Sequence, residues 1–318
     1  MVEGPALRIV YFGTPAFAVP TLGALIKSRH PVVALVSQPD RPKGRGHRVA
    51  ATPTKELAAL CGVPVLQPTK LREDAFLAQV AEFRPDIGVV AAYGRILPDA
   101  LLGVPRLGMI NVHASLLPKY RGAAPVHRAV IAGDEITGVT IMRVVAQLDA
   151  GPMLASATRP IAPDETSVDV ERGLADSGAG LLLDVVDRMA RGPVLETPQD
   201  DALATYAPKL LKTESPIDWS LAALTIHNRV RGLQPWPMAS TTIDGARSLI
   251  HRTRVSDVRT DARPGTIIEA AGSVLAVAAG DGVVLQILEI QPEGRRVMSV
   301  REYLSGRKLT PGTPLGPA

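Results

Sequence analysis

The stretch Gly108-Met109-Ile110-Asn111-Val112-His113-Ala114-Ser115-Leu116-Leu117-Pro118 is a short apolar run that leads into polar side chains. In an extended strand every second side chain points to the same face, so Asn111 and His113 lie on one face. A carboxamide and an imidazole at the end of a buried strand can handle a developing oxyanion and a proton. The pattern predicts a buried strand that ends in a reaction site; a purely structural histidine is the alternative.

Similar short apolar runs lie on both sides of this strand and alternate with helical patterns. Strands are predicted at Leu7–Phe12, Val32–Val36, Ile87–Ala91, Met109–Val112 and Val139–Val145, and helices at Pro20–Lys27, Glu73–Phe83 and Thr166–Arg191. Short buried strands that alternate with helices indicate an α/β fold with a doubly wound, mostly parallel sheet. Ligands bind such sheets beyond the carboxyl ends of the strands, which is where His113 lies.

The texture of the sequence changes after residue 192. Residues 193–216 are rich in proline and polar groups, which predicts an extended linker. A helix at Leu221–Val230 is followed by short β-branched runs between glycine turns, at Ser248–Ile250, Thr266–Glu269, Val274–Val277 and Val283–Ile290. Their spacing predicts a small antiparallel barrel or sandwich. The expected organisation is a catalytic domain at 1–192, a linker at 193–216 and a second domain at 217–318.

Composition limits where the protein acts. The single cysteine, Cys61, excludes an internal disulfide and is typical of a reducing compartment. No apolar run approaches the ~20 residues of a membrane span, and the N-terminus lacks the pattern of a signal peptide. We therefore expect a cytoplasmic protein without membrane association.

Basic side chains are concentrated in two parts of the chain. Residues 209–318 carry 14 basic and 10 acidic side chains, so the whole net charge of +4 lies there. The loop after the second predicted strand holds four further cations, Arg41, Lys43, Arg45 and Arg48, with glycines between them. Such a loop can follow a phosphate backbone, and a solvated surface loop is the alternative.

Several common sites are excluded by missing patterns. Gly13-Thr14-Pro15 follows the first strand where a dinucleotide fold carries its glycine fingerprint, so a dehydrogenase is disfavoured. The sequence also lacks a phosphate-binding P-loop and any Cys/His spacing typical of a metal site. We predict neither a bound nucleoside triphosphate nor a metal.

A carboxylate follows the strand at Val139–Val145. Asp149 lies in Asp149-Ala150-Gly151-Pro152, and an acidic residue before Gly-Pro is most often a turn residue. If the ends of the two strands are adjacent, however, Asp149 reaches the imidazole of His113. There a carboxylate would fix the tautomer of the ring and favour its protonated form.

Together these residues resemble the active-site signature of the folate-dependent formyltransferases, Asn-x-His-x-Ser-Leu-Leu-Pro followed by an aspartate. The resemblance extends along nearly the whole chain, through Phe12–Pro15, Gln38–Pro42, Ala92–Gly94, Tyr120–Pro125, Gly138–Met142, Ile217–Trp219 and Pro235–Met238. It is closest to the members that act on methionyl-tRNA. Residues 1–5 and the tail after Leu309 match nothing informative.

The resemblance implies transfer of a formyl group from 10-formyltetrahydrofolate to the α-amino group of methionyl-initiator tRNA. It implies catalysis by Asn111, His113 and Asp149 and a folate site lined by Ser115, Leu116, Leu117 and Pro118. It also implies contacts with tRNA from Arg41, Lys43, Arg45, Arg48, Lys209 and Lys212, and an OB-like β-barrel as the second domain. The resemblance leaves open whether His113 acts as acid, base or electrostatic stabiliser.

Two other functions fit parts of the same pattern. A formyltransferase for a small amine would share the Asn-His-Asp set but would lack this basic loop together with a C-terminal barrel. A non-catalytic RNA-binding protein would use the barrel and would not depend on His113. We expect a monomer, because no large apolar helix face is left over.

Overall fold

The structure is a computed structural model that describes residues 4–43 and 48–316. The chain forms two units. The first contains the residues up to Pro125 together with Ile136–Pro160 and Glu171–Ala207; the second contains Val126–Glu135, Ile161–Val170 and the residues from Pro208 onward. The units divide the chain after Ala207, within the segment that the sequence suggests as a linker. The functional boundaries at 192 and 216 stay a prediction.

The elements up to residue 207 alternate between strands and helices. They are β1 (Ile9–Gly13), α1 (Ala18–Ile26), β2 (Val32–Val36), β3 (Arg41–Lys43), β4 (Arg48–Ala50), α2 (Pro53–Leu60), β5 (Val65–Leu66), α3 (Asp74–Glu82), β6 (Ile87–Ala91), α4 (Asp99–Leu102), β7 (Met109–His113), β8 (Arg121–Gly122), α5 (Pro125–Ala132), β9 (Ile136–Arg143), β10 (Met153–Pro160), α6 (Ser167–Arg191) and β11 (Tyr206–Ala207). Among the described residues, no helix has both the length and the apolar composition needed to span a bilayer.

A seven-stranded sheet forms the centre of the first unit, in the order β10-β9-β7-β6-β1-β2-β5. Neighbouring strands from β7 through β5 are parallel, whereas β9 is antiparallel to β7 and β10 to β9. The predicted mostly parallel, doubly wound sheet is confirmed. The strand order reverses between β1 and β6, and such a reversal opens a ligand crevice at the carboxyl ends.

The central strands are apolar along their whole length. All five residues of β1 are buried, because helices cover both faces of a doubly wound sheet. β7 is different: Asn111 is half-buried within it, and His113 is its last residue. Asn111 and His113 therefore lie toward the carboxyl edge of the sheet, where doubly wound folds bind their ligands.

The direction of β9 corrects the argument that placed Asp149 beside His113. Ile110 pairs with Arg143 and His113 pairs with Thr140, so β9 ends beside the beginning of β7. The two carboxyl ends are therefore not adjacent, as that argument assumed. The loop at residues 144–152, rather than the end of β9, brings Asp149 to His113.

The second unit holds the remaining elements in addition to nearly all of α5. They are α7 (Ala223–Gly232), β12 (Ala239–Ile243), β13 (Ala246–Arg259), β14 (Ile267–Ala271), β15 (Val274–Ala278), β16 (Val283–Pro292), β17 (Met298–Ser299) and α8 (Val300–Ser305). The antiparallel path runs β12-β13-β16-β15-β14. Asp244 and Gly245 join β12 to β13, both with positive φ (50° and 74°), as a tight two-residue hairpin requires.

The C-terminal tail closes this sheet into a barrel. β12 and β14 are the two ends of the path, and the same short segment bonds to both. The backbones of Thr242 and Gly316 exchange two hydrogen bonds of 3.0 and 3.1 Å. The N–H of Ile267 donates to Thr313 at 2.9 Å, and the N–H of Leu315 donates to Gly265 at 2.8 Å. The predicted OB-like barrel is confirmed, and a tail that matched no motif completes it.

Leu315→Ala tests this closure. Leu315 is 7% exposed, so truncation removes apolar contacts at the seam. We expect the free energy of unfolding to fall by about 2–4 kcal/mol, measured by chemical denaturation. Leu224→Ala is the matched control, because Leu224 is 60% exposed and its loss should change stability by less than about 0.5 kcal/mol. Equal stability of the two variants would contradict closure by the tail.

Candidate active site

The imidazole of His113 is held at two points. The side chain is buried, and Nε2 lies 2.9 Å from the carbonyl oxygen of Tyr120. Because a carbonyl only accepts, Nε2 carries a hydrogen. Nδ1 faces Oδ2 of Asp149 at 3.7 Å, within ion-pair range but beyond a direct hydrogen bond. Nδ1 is therefore the nitrogen that remains available to exchange a proton.

Asp149 is fixed by the same loop that holds the ring. Its Oδ2 accepts a hydrogen bond of 2.9 Å from the backbone N–H of Gly122. Its own backbone has φ +48°, a left-handed conformation that turns the loop at this residue. Tyr120 therefore fixes the position of the imidazole ring, and Gly122 fixes the position of the carboxylate. Together they determine the distance between Nδ1 and Oδ2.

Asn111 supplies a third group on the same face of β7. Its side chain is half-buried, two residues before His113. Within residues 4–43 and 48–316, its carboxamide has no hydrogen-bond partner. A half-buried amide without a partner has both its N–H donors and its carbonyl free for a ligand. The structure thus brings His113 and Asp149 together and places Asn111 beside them on the strand.

The four residues predicted to line a folate site differ in their accessibility. Ser115 is buried, and its hydroxyl donates to the carbonyl of Lys119 at 2.6 Å. Leu117 is buried as well, whereas Leu116 and Pro118 are half-buried. The hydroxyl of Ser115 therefore stabilises the loop, and Leu116 and Pro118 are the two of the four residues that keep accessible surface.

This arrangement suits a reaction that moves a proton while a carbonyl becomes tetrahedral. With Nε2 bonded to Tyr120, a proton taken up at Nδ1 forms an imidazolium between a carbonyl and a carboxylate. The free amide N–H of Asn111 is the type of donor that stabilises an oxyanion. The described residues therefore provide a proton acceptor and an oxyanion donor on one strand.

Sequence reasoning missed part of the support for this site. Tyr120 and Gly122 belong to a motif that it singled out, but their backbone roles leave no mark in the residue types. Gln199, whose side chain donates to the carbonyls of Asp149 and Gly151, was missed altogether. It lies in the segment interpreted as a linker, and no local pattern distinguishes it.

The basic loop begins at a polar cluster. β3 and β4 form a hairpin in which Lys43 pairs with Arg48. The exposed Arg41 donates to Gln38 at 3.2 Å, and Arg45 lies outside the described residues. Just before the hairpin, the hydrogen bond from Lys55 lowers the pKa of the Asp40 carboxyl. The residue that precedes the hairpin, Asp40, is thus held by its ion pair with Lys55.

Lys209 and Lys212 lie in an exposed turn of the second unit. Arg128 holds this turn: it donates to the carbonyl of Pro208 at 3.0 Å and pairs with Glu214 at 2.6 Å. The hydrogen bond from Arg128 lowers the pKa of Glu214, so the pair persists in mildly acidic solution. Both lysine side chains remain exposed.

Comparison with known proteins identifies the family to which this chain belongs. Residues 7–186 match the formyl transferase family, and residues 209–308 match the formyl transferase C-terminal domain. The chain is 46% identical over 310 residues to the methionyl-tRNA formyltransferase of Methylococcus capsulatus, a match that spans 98% of this chain and 100% of the relative. This chain belongs to the methionyl-tRNA formyltransferase family. The predicted family and enzyme class are confirmed.

A further relative supports this family assignment, and two solved structures share the fold. The methionyl-tRNA formyltransferase of Roseiflexus castenholzii is 47% identical over 314 residues, which cover 98% of this chain and 99% of the relative. The solved sugar 3N-formyl transferase WlaRD has a TM-score of 0.67 at 14% identity, over 92% of this chain and 100% of its own. HypX from Aquifex aeolicus has a TM-score of 0.66 at 16% identity, over 97% of this chain and 51% of its own. At such identities these two structures show a shared fold.

Asp149→Asn tests the geometry of the site. Asparagine can still accept from Gly122, but it removes the negative charge that faces Nδ1 of His113. We expect kcat for formyl transfer to fall by about 100-fold or more, because the charged ring loses its partner, while affinity for the formyl donor changes little. Steady-state kinetics and equilibrium binding measure the two quantities.

Asp176→Asn serves as the control, because Asp176 is exposed on α6 and distant in sequence from the site. It should retain the parental kcat. Equal losses of turnover and donor affinity in Asp149→Asn would indicate a structural role for the carboxylate instead.

Proposed function

We propose that this protein transfers a formyl group from 10-formyltetrahydrofolate to the α-amino group of methionyl-initiator tRNA, giving formylmethionyl-tRNA for translation initiation. The observation that carries the proposal is the pair formed by Nδ1 of His113, at the end of β7, and Oδ2 of the loop residue Asp149, 3.7 Å apart. The same strand holds Asn111, whose carboxamide has no partner among the described residues. Support comes from the methionyl-tRNA formyltransferases of 46% and 47% identity, which align over nearly the whole chain.

The reaction needs a neutral amine and a place for one proton. The pKa of a chain-terminal α-amino group is about 7.7–8.0, so a neutral fraction is present at pH 7. The amine nitrogen forms a bond to the formyl carbon, and the bond from that carbon to the donor nitrogen breaks. One proton leaves the attacking nitrogen and one arrives on the donor nitrogen. Neither a redox step nor an acyl-enzyme is required.

Each of the three side chains has a role in this scheme. Nδ1 of His113 accepts the proton from the attacking amine and returns it to the leaving nitrogen. Asp149 stabilises the ring while it is charged. The amide N–H of Asn111 donates to the oxygen of the formyl group as that oxygen becomes negative, and the loss of one such donor costs about 3–4 kcal/mol in other enzymes.

The proposal includes two binding surfaces, one for the folate and one for tRNA. The half-buried Leu116 and Pro118 contact the folate, and the buried Ser115 and Leu117 complete the lining of its site. Two solved neighbours of the same fold support a folate donor: HypX was solved in complex with tetrahydrofolic acid, and WlaRD in the presence of 5-N-formyl-tetrahydrofolate. The proposed tRNA contacts are the cations Arg41, Lys43, Arg45, Arg48, Lys209 and Lys212. We further propose a cytoplasmic monomer that uses no metal.

The direct test is formylation of purified methionyl-initiator tRNA with 10-formyltetrahydrofolate as donor. We expect formylmethionyl-tRNA to form in proportion to enzyme and time. Free methionine and a small amino sugar serve as competing acceptors. If either is formylated as efficiently as methionyl-tRNA, the protein is a small-amine formyltransferase and the proposal fails.

Arg45→Ala tests the basic loop. Because phosphate contacts release counterions, loss of one cation should weaken tRNA binding and reduce the slope of log affinity against log salt by about 1. Affinity for the folate donor should not change. Filter binding at several salt concentrations measures the slope.

Lys70→Ala removes one cation outside that loop, where the Lys70 side chain is 76% exposed and pairs with Glu73. It should leave the slope unchanged. An Arg45→Ala variant with the parental slope would show that this loop does not contact tRNA.

A further inference from the structure

Residues 197–207 lie along both loops that hold His113 and Asp149. Thr197 exchanges backbone hydrogen bonds of 2.8 and 2.9 Å with Met153, at the end of the loop that carries Asp149. Thr205 accepts from the N–H of Tyr120 through its hydroxyl at 2.9 Å and from the N–H of Arg121 through its carbonyl at 2.8 Å. This segment, whose composition is that of a linker, is therefore part of the framework of the site.

Gln199 makes the contact nearest to the carboxylate. Its amide nitrogen donates to the carbonyl of Asp149 at 2.9 Å and to the carbonyl of Gly151 at 2.8 Å. One side chain thus holds the backbone on both sides of Ala150. Asp149 is the residue with the left-handed backbone, so this clamp acts at the turn that aims the carboxylate toward His113.

Arg121 determines which way the Gln199 amide faces. The guanidinium is 1% exposed, and its Nε donates to Oε1 of Gln199 at 3.0 Å. A guanidinium only donates, so it must meet the oxygen of the amide and leave the NH₂ group for the two carbonyls. Asp201 accepts from Nη2 of Arg121 at 2.7 Å and compensates the buried charge. All polar atoms of the Gln199 amide are therefore matched to partners.

We propose that Gln199 is a positioning residue for formyl transfer. By clamping the carbonyls of Asp149 and Gly151, it keeps the Asp149 carboxylate at the distance from Nδ1 of His113 that the proton transfer requires. It acts through Asp149 and does not touch the reacting atoms. The inference rests on the proposed function.

The interaction between His113 and Asp149 depends on their alignment. The separation of 3.7 Å between Nδ1 and Oδ2 is slightly longer than a hydrogen bond, so a small movement of the loop decides whether a direct hydrogen bond between them can form. The hydrogen bond from Gly122 holds the carboxylate from one side only. Loss of the Gln199 clamp frees the backbone from the other side, and a misplacement of about 1 Å can reduce a rate by about 100-fold.

Gln199→Met is the first test, because methionine keeps the length of the side chain and removes its three hydrogen bonds. We expect kcat for formylation of methionyl-tRNA to fall by about 10- to 100-fold, with KM for both substrates changed by less than about 3-fold. Gln79→Met makes the same chemical change on the exposed surface of α3 and should keep the parental kcat. Parental kcat in Gln199→Met would overturn the inference.

A double-mutant cycle separates positioning from general damage. Once Asp149 is replaced by asparagine, there is no carboxylate left to position, so Gln199→Met should lower kcat by less than about 3-fold in that background. If the fold-reductions in kcat of the two single variants multiply in the double variant, Gln199 does not act through Asp149. If the parental protein does not formylate methionyl-tRNA at all, the proposed function fails rather than this inference.

Gln199→Glu distinguishes loss of the clamp from loss of folding. The carboxylate of glutamate still accepts the hydrogen bond from Arg121. It has no N–H to donate to the carbonyls of Asp149 and Gly151, so the clamp is lost. We expect a folded protein, judged by an unchanged cooperative thermal transition, with kcat reduced at least as far as in Gln199→Met. Retention of the parental kcat in this variant would also overturn the inference.

Discussion

The proposed function of this protein depends on how one imidazole is held. Nε2 of His113 is bonded to the carbonyl of Tyr120, and Nδ1 faces the carboxylate of Asp149. The first contact fixes the tautomer, so only Nδ1 can exchange a proton with a substrate. The doubly wound sheet places the ring at the edge where ligands collect. The loops at residues 118–124 and 144–152 then supply its two partners.

Local periodicity was sufficient to predict the strand and its two polar residues. Alternation along Met109–His113 places Asn111 and His113 on one face, and the structure confirms both the strand and its position at the sheet edge. The contact with Asp149 was predicted from the wrong geometry. β9 is antiparallel to β7, and a pattern of buried apolar residues does not distinguish strand direction in a covered sheet. The loop, rather than the strand end, makes the contact.

The contacts that escaped prediction are those made by backbone groups or by residues far apart in sequence. Thr313–Gly316 closes the barrel through main-chain hydrogen bonds, which any residue type except proline at a donor position can form. Gln199 reaches Asp149 across 50 positions through an amide that looks like any surface glutamine. Arg121 is buried against Gln199 and Asp201, although arginine is usually a surface residue. Tertiary structure, rather than composition, gives these residues their roles.

The most direct test of the account is the proton position on His113. Protein labelled with ¹⁵N in histidine, with His113 assigned by comparison with a His113→Gln variant, reports the protonation of each ring nitrogen by NMR. The account predicts that the neutral ring carries its hydrogen on Nε2 and has a bare Nδ1. A neutral ring with hydrogen on Nδ1 and a bare Nε2 would contradict it, because the carbonyl of Tyr120 could not then hold the ring.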